Sequence, residues 1–222
     1  MSVDMLGLNK YTTIVFDCDG VVLDSNKVKT EAFHKVAYQF GKEAADKLVA
    51  YHVENGGISR YKKFQYLVED ILGRNPGNNE ITQLSNEYGE SIYNGLLECN
   101  VTPGLDNFRK NTESMRWLIV SGGDQEELRQ LFKLRGLYDY FDTGIYGSPR
   151  TKSEILNKLL MEGKITKPAL FLGDSTYDHR VASKYEFDFI FVNKWTEFSG
   201  WSEYCKKHNI YSAEYVKDLL VL

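Results

Sequence analysis

Short apolar runs, spaced between helix-like stretches, are the strongest constraint on how this chain can fold. Residues 12–17, 116–120 ("RWLIV"), 168–174 ("PALFLGD") and 187–192 ("FDFIFV") read as strands, with a shorter one at 144–147 ("GIYG"). Runs this continuously apolar belong in a parallel sheet that is covered on both faces. Helices fit the gaps. Leu128, Leu131, Phe132 and Arg135 recur at helical spacing across 124–135, with Gly136 placed to end that helix. Ile155, Leu156, Leu159 and Leu160 do the same across 153–162, ahead of Gly163. The strand–helix alternation predicts right-handed crossovers and an α/β fold with a doubly wound, Rossmann-like parallel sheet.

The alternation breaks between the first and second strands. Val28, Ala32, Val36 and Phe40 recur every fourth residue; Phe64, Leu67, Ile71 and Leu72 form a second stripe, stopped by Gly73; Ile81, Leu84, Tyr88, Ile92 and Leu96 form a third. That is more helix than one crossover uses. The expected organisation is a core made of residues 1–24 and 98–222, with an inserted all-helical cap over 25–97.

Length and composition suit this plan. The 222 residues, 42% hydrophobic and 26% charged, can build one α/β core with an insert. A net charge of −4 advertises no basic face for nucleic acid. Cys18, Cys99 and Cys205 form neither a CxxC pair nor a zinc spacing, so reduced thiols in a cytoplasmic protein are expected. The N-terminus lacks an apolar run long enough for a signal peptide or a membrane span.

The first strand ends in an unusual way: "TIVFDCDGVV" delivers Asp17 and Asp19 with only Cys18 between them. Two close carboxylates need a cation or a shared proton, and a hard ion such as Mg²⁺ tolerates that density. Open parallel sheets place their sites at the carboxyl ends of the strands. There the second strand delivers Ser121 in "VSGG", with consecutive backbone amides at an expected helix start, and the fourth delivers Asp174 and Asp178 in "LGDSTYD". Lys152 opens a helix in "GSPRTKSEIL" and can neutralise the acids and hold a phosphate. A turn with capping aspartates, an N-cap serine and a solvated lysine are the plain alternatives taken one at a time.

In this order, DxDG, Ser, Lys and GDxxxD resemble the haloacid dehalogenase superfamily of Asp-nucleophile hydrolases. The helical insert sits where that family places a type 1 cap, as in the phosphoglycolate phosphatase and β-phosphoglucomutase branches. The resemblance implies that Asp17 attacks phosphorus and that Asp19 serves as acid, then base. It implies Mg²⁺ on the Asp17 carboxylate, the Asp19 backbone carbonyl and Asp174, supported by Asp178. It implies that Ser121, Gly122 and Lys152 hold the phosphoryl group. Many relatives carry the lysine in a Lys-Pro pair, whereas this chain reads "SPRTK", so Arg150 is an alternative cation. Asp19 speaks against a dehalogenase, whose halide leaving group needs no acid.

In the insert, "NGGISRYKKF" resembles the cap element with which β-phosphoglucomutase relatives grip the distal anionic end of a substrate, which implies that role for Arg60, with Lys62 and Lys63 adding charge. Ser25 is expected to cap the first insert helix, and His34 and His52 to be packing or surface residues. The implied activity is a Mg²⁺-dependent phosphatase acting on a small phosphorylated metabolite. The alternatives are a phosphomutase, a phospho-accepting signalling domain, whose motif order differs, and a silent binding protein.

Overall fold

A computed structural model describes residues 7–220. Six strands form one parallel sheet in the order β3-β2-β1-β4-β5-β6. They are β1 (Thr13–Phe16), β2 (Arg116–Asp124), β3 (Gly144–Ser148), β4 (Ala169–Gly173), β5 (Asp188–Val192) and β6 (Tyr211–Ala213). The doubly wound α/β fold expected from the sequence is present. β1 lies at the centre, pairing with β2 on one side (Phe16 opposite Ile119) and β4 on the other (Phe16 opposite Leu172). Burial on both faces explains the unbroken apolar runs. Ile14 and Phe16 face one core layer with Trp117, Ile119 and Leu172; Val15 faces the other with Leu118, Val120 and Phe171.

Five α-helices lie between β1 and β2, and the first four fall within the expected insert: α1 (Asn26–Ala37), α2 (Lys42–Glu54), α3 (Arg60–Tyr66) and α4 (Glu80–Glu98). Those four helices pack around Phe33, Leu48, Phe64 and Tyr88, which belong to the same buried apolar cluster as the Ile14 and Phe16 face of the sheet. Phe33 packs its ring on Tyr88 at 4.3 Å and on Phe64 at 5.4 Å. Behind them follow α5 (Leu105–Asn111), α6 (Gln125–Leu134), α7 (Lys152–Met161), α8 (Thr176–Lys184) and α9 (Trp201–His208). Gly73, Gly136 and Gly163, read as helix stops, all hold positive φ near +65°.

Three local readings change. β2 runs on to Asp124, so Ser121 does not open a helix; Asp124 caps α6 by accepting from the Glu126 and Glu127 amides. Ser25 makes no cap hydrogen bond to α1 and turns to Asp19 instead. β6 has only three residues and no apolar run to announce it.

Candidate active site

Each strand of the central trio ends by delivering polar groups to the same place. β1 runs into Asp17 and Asp19. Gly20 then turns the chain at φ +73°, a conformation that favours glycine. A Cβ there would lie 2.1 Å from Asp174 Oδ2 and 2.5 Å from Asn26 Nδ2, so the absent side chain is what lets β4's acid approach β1. β4 ends in Gly173 and Asp174, and the Ser175 hydroxyl caps α8 through the Asp178 amide. This places Asp178 in the first turn, fully buried, with the Ser175 hydroxyl donating to its carboxylate at 2.6 Å.

Asp17, Asp174 and Asp178 offer carboxylate oxygens that all lie within 4.8 Å of one another. Lys152 sits among them. The Thr151–Glu154 capping box starts α7 at this residue. Its ammonium, 1% exposed, donates to Asp17 Oδ1 at 2.8 Å and Asp178 Oδ1 at 2.6 Å. Arg150, the alternative cation, is exposed. Asp17 Oδ1 also accepts from the Cys18 amide at 2.7 Å.

One ammonium does not balance three buried carboxylates. Burial pushes the Asp17 carboxyl up to about 7 in spite of Lys152. Burial, together with Asp17 and Asp178, pushes Asp174 well above the ordinary range, and its side-chain donor is the Asn26 amide at 2.7 Å. An all-oxygen set with excess negative charge fits a hard divalent cation, with Asp17, Asp174 and Asp178 as the residues that would hold it.

The Asp19 carboxylate faces another way. It accepts from Lys29 at 2.6 Å and Ser25 at 2.6 Å, both near the start of α1, and from Ser121 at 3.4 Å. Burial works against its ionisation, but Lys29 and Ser25 outweigh that and hold the carboxyl below its ordinary range. Asp19 therefore lies outside the carboxylate trio and beside Ser121, whose hydroxyl also accepts from the Gly123 amide at 2.9 Å.

The helical layer covers this site closely. A Cβ on Gly122 would lie 2.4 Å from the carbonyl oxygen of Gly57, and one on Gly57 would lie 3.0 Å from Tyr177 and 3.4 Å from the Lys152 ammonium. The glycine turn ahead of Ser59 and Arg60 thus rests on both Gly122 and Lys152. Asp17, Asp19 and Asp174 share a cavity wall with Arg60, Lys63 and His52 from the helices. Arg60 is buried, donates to the Ser85 carbonyl at 3.0 Å, and pairs with Glu127 on α6.

Sequence reasoning did not single out Lys29 or Asn26 as site residues. Both lie on the first turn of α1, with Ser25 just ahead of it. A polar triplet at 25, 26 and 29 directly after the DxDG turn is the signal that would have exposed them. His34 is a surface residue beside Asp46, and all three cysteines are free. No described helix is long and apolar enough to cross a membrane.

No curated protein matches the sequence. Solved structures resemble the fold over nearly its whole length. A β-phosphoglucomutase from Clostridium difficile has a TM-score of 0.71 at 17% identity, covering 94% of this chain and 92% of its own. A proposed phosphoglycolate phosphatase from Lactobacillus plantarum has 0.69 at 18%, covering 95% and 98%. A haloacid dehalogenase-like hydrolase from Streptococcus pneumoniae has 0.69 at 19%, covering 96% and 98%. The family model described as haloacid dehalogenase-like hydrolase matches residues 14–192, so the chain belongs to that family.

Proposed function

We propose that the protein is a cytoplasmic, Mg²⁺-dependent phosphomonoesterase for a small phosphorylated metabolite. The observation that carries this is the meeting of Asp17, Asp174, Asp178 and Lys152 at the ends of β1 and β4, with Asp19 and Ser121 beside them.

In this account a carboxylate oxygen of Asp17 attacks phosphorus while the ester P–O bond breaks. The leaving oxygen takes a proton from Asp19. A water molecule then attacks the aspartyl-phosphate and gives its proton to Asp19, which returns Asp17 and releases inorganic phosphate. Asp19, held ionised by Lys29, is ready as the base; an incoming phosphate dianion raises its carboxyl toward the acid form. Ser121, the Gly122 amide and Lys152 hold the phosphoryl oxygens. Mg²⁺, when bound by Asp17, Asp174 and Asp178 with the Asp19 backbone carbonyl, supplies charge screening between nucleophile and phosphate.

Residues 25–97 act as a cap that must move to admit substrate. Supporting this, the two connections lie side by side: Asp24 N donates to Asn100 O at 2.9 Å and Thr102 N to Val22 O at 2.8 Å, a narrow two-strand hinge. Arg60 reaches the cavity from the cap and would exchange Glu127 for an anionic part of the substrate. The test is phosphate release from a panel of phosphorylated metabolites with and without Mg²⁺; no release from any of them sinks the proposal. The likeness to a β-phosphoglucomutase favours a second reading, in which the phosphorylated Asp17 is kept from water and returned to a sugar. Bisphosphate-dependent isomerisation that exceeds phosphate release would decide for the mutase.

A further inference from the structure

The cavity between the sheet and helices α1–α4 has about 850 Å³ of empty space, counting its open mouth. Lys29, His52, Arg60 and Lys63 line it from the helical side. Lys29 pairs with Asp19 and Arg60 with Glu127, but no described carboxylate pairs with Lys63. Lys63 is 2% exposed, in a buried stripe with Phe64 and Leu67. Its Nζ meets His52 Nδ1 at 2.6 Å and lies 5.3 Å from the centre of the Phe33 ring. An ammonium offers no lone pair, so the imidazole accepts through Nδ1.

Burial penalises a charge of either sign, so the neighbours decide which sign this place tolerates. Lys29 on α1 is the strongest of them, and it repels an ammonium; Lys152 on α7 repels it too. Asp19 and Glu197 attract it, but Asp19 is already paired with Lys29, and Glu197 accepts from Thr30 at 2.5 Å. Burial, reinforced by Lys29, pulls the ammonium down to about 7. His52 is held well below its ordinary range by burial and by Lys63, so it stays a neutral base. Lys63 therefore presents an unprotonated primary amine to the cavity at neutral pH, with a proton acceptor in contact. At pH 8 its unprotonated share is about 300-fold that of an ordinary lysine.

We propose that Lys63 is a carbamylation site, whose Nζ adds reversibly to carbon dioxide entering through the cavity mouth. The nitrogen lone pair forms an N–C bond, one C=O π pair moves onto oxygen, and an N–H proton passes to His52 Nδ1 and on to water. The sum is amine plus CO₂ giving carbamate plus H⁺, with no oxidant or reductant. The change replaces a cation that Lys29 and Lys152 repel by an anion that they attract, and it supplies the carboxylate this lysine lacks. The inference goes beyond the phosphatase reading and stands without it, since no phosphate ester takes part.

The test is ¹³C NMR of the wild type, Lys63→Arg and Lys63→Met, each equilibrated at pH 8 with ¹³C-labelled bicarbonate as the source of CO₂. A carbamate resonance is expected in the wild type and should be lost in both variants; the arginine keeps the charge but has no unprotonated amine at this pH. The amino terminus also adds CO₂, and its signal should be common to all three proteins. Unfolding the wild type in urea should abolish the Lys63 resonance, because an ordinary lysine is protonated at pH 8. A second measurement needs no variant and decides the matter if neither variant folds. Methylation of the labelled wild type with trimethyloxonium, followed by peptide mass spectrometry, should find a methyl carbamate on Lys63. No methyl carbamate there overturns the proposal. So does a wild-type spectrum with the amino-terminal signal alone, or a further resonance that persists in both folded variants.

Discussion

Replacing Lys63 by methionine removes a buried ammonium and keeps most of the side chain's bulk, which turns the cost of that ammonium into a measurable dependence on pH. In the unfolded chain Lys63 holds its proton throughout pH 7 to 9, because its ordinary pKa is 10.5. In the folded, ligand-free chain the proton is released as pH passes about 7. Over this window the unfolded state therefore binds more protons than the native state, and stability rises with pH. Integrating the linkage relation between pH 7 and 9 gives a gain of about 2 kcal/mol for the wild type relative to Lys63→Met. Lys29 and Lys152, both raised, stay charged across the window, and His52 is neutral at pH 9 in either state. Burial pushes the Asp17 carboxyl up to about 7, but the groups that shift it are Lys152, Asp178 and Asp19 and not Lys63, so it should drop out of the difference. The assay is urea unfolding of the two proteins at pH 7, 8 and 9 without ligand. A stability difference that is flat or moves the other way would mean that Lys63 is not a strained buried cation.

Gly20→Ala forces a Cβ to within 2.1 Å of Asp174 Oδ2 at a left-handed φ. We expect a stability loss of about 1–3 kcal/mol by thermal unfolding. Phosphate release should fall roughly hundredfold or more, since small displacements of reacting groups are that costly; activity within tenfold of wild type would show that Asp174 need not sit where it does. Arg60→Ala should cost doubly anionic substrates more than p-nitrophenyl phosphate, and equal losses would remove Arg60 from substrate recognition. Mg²⁺ should raise the melting temperature, with stabilisation of about 2.7 kcal/mol at a hundredfold excess over its dissociation constant. Asp174→Asn should abolish that increment; a Mg²⁺ shift that survives would place the cation elsewhere.

Much of the core was legible because buried parallel strands leave little choice of composition. Thr13–Phe16 and Ala169–Gly173 are buried at every position, so unbroken apolar runs announce them. β6 lies at the sheet's edge, with Tyr211 69% exposed, and a strand that buries so little leaves no such run. The acids at 17, 19, 174 and 178 were legible because strand ends concentrate them. Lys29, Asn26 and Ser25 were hidden because they precede or belong to a helix whose apolar stripe reads as ordinary packing, while their polar atoms turn back to β1 and β4. Lys63 and His52 were seen only as charge beside Arg60 and as a packing histidine. Their significance is the missing carboxylate, and sequence spacing does not show a missing partner.

The central claim is that Asp17 is the nucleophile of a metal-dependent phosphoryl transfer. It is tested most directly by phosphate release from the metabolite panel by wild-type and Asp17→Asn protein, each with Mg²⁺ and with a chelator. The account predicts release by the wild type only with Mg²⁺ and at least a thousandfold loss on Asp17→Asn, on the order of 4 kcal/mol of barrier. An Asp17→Asn protein that turns over with full activity would contradict it.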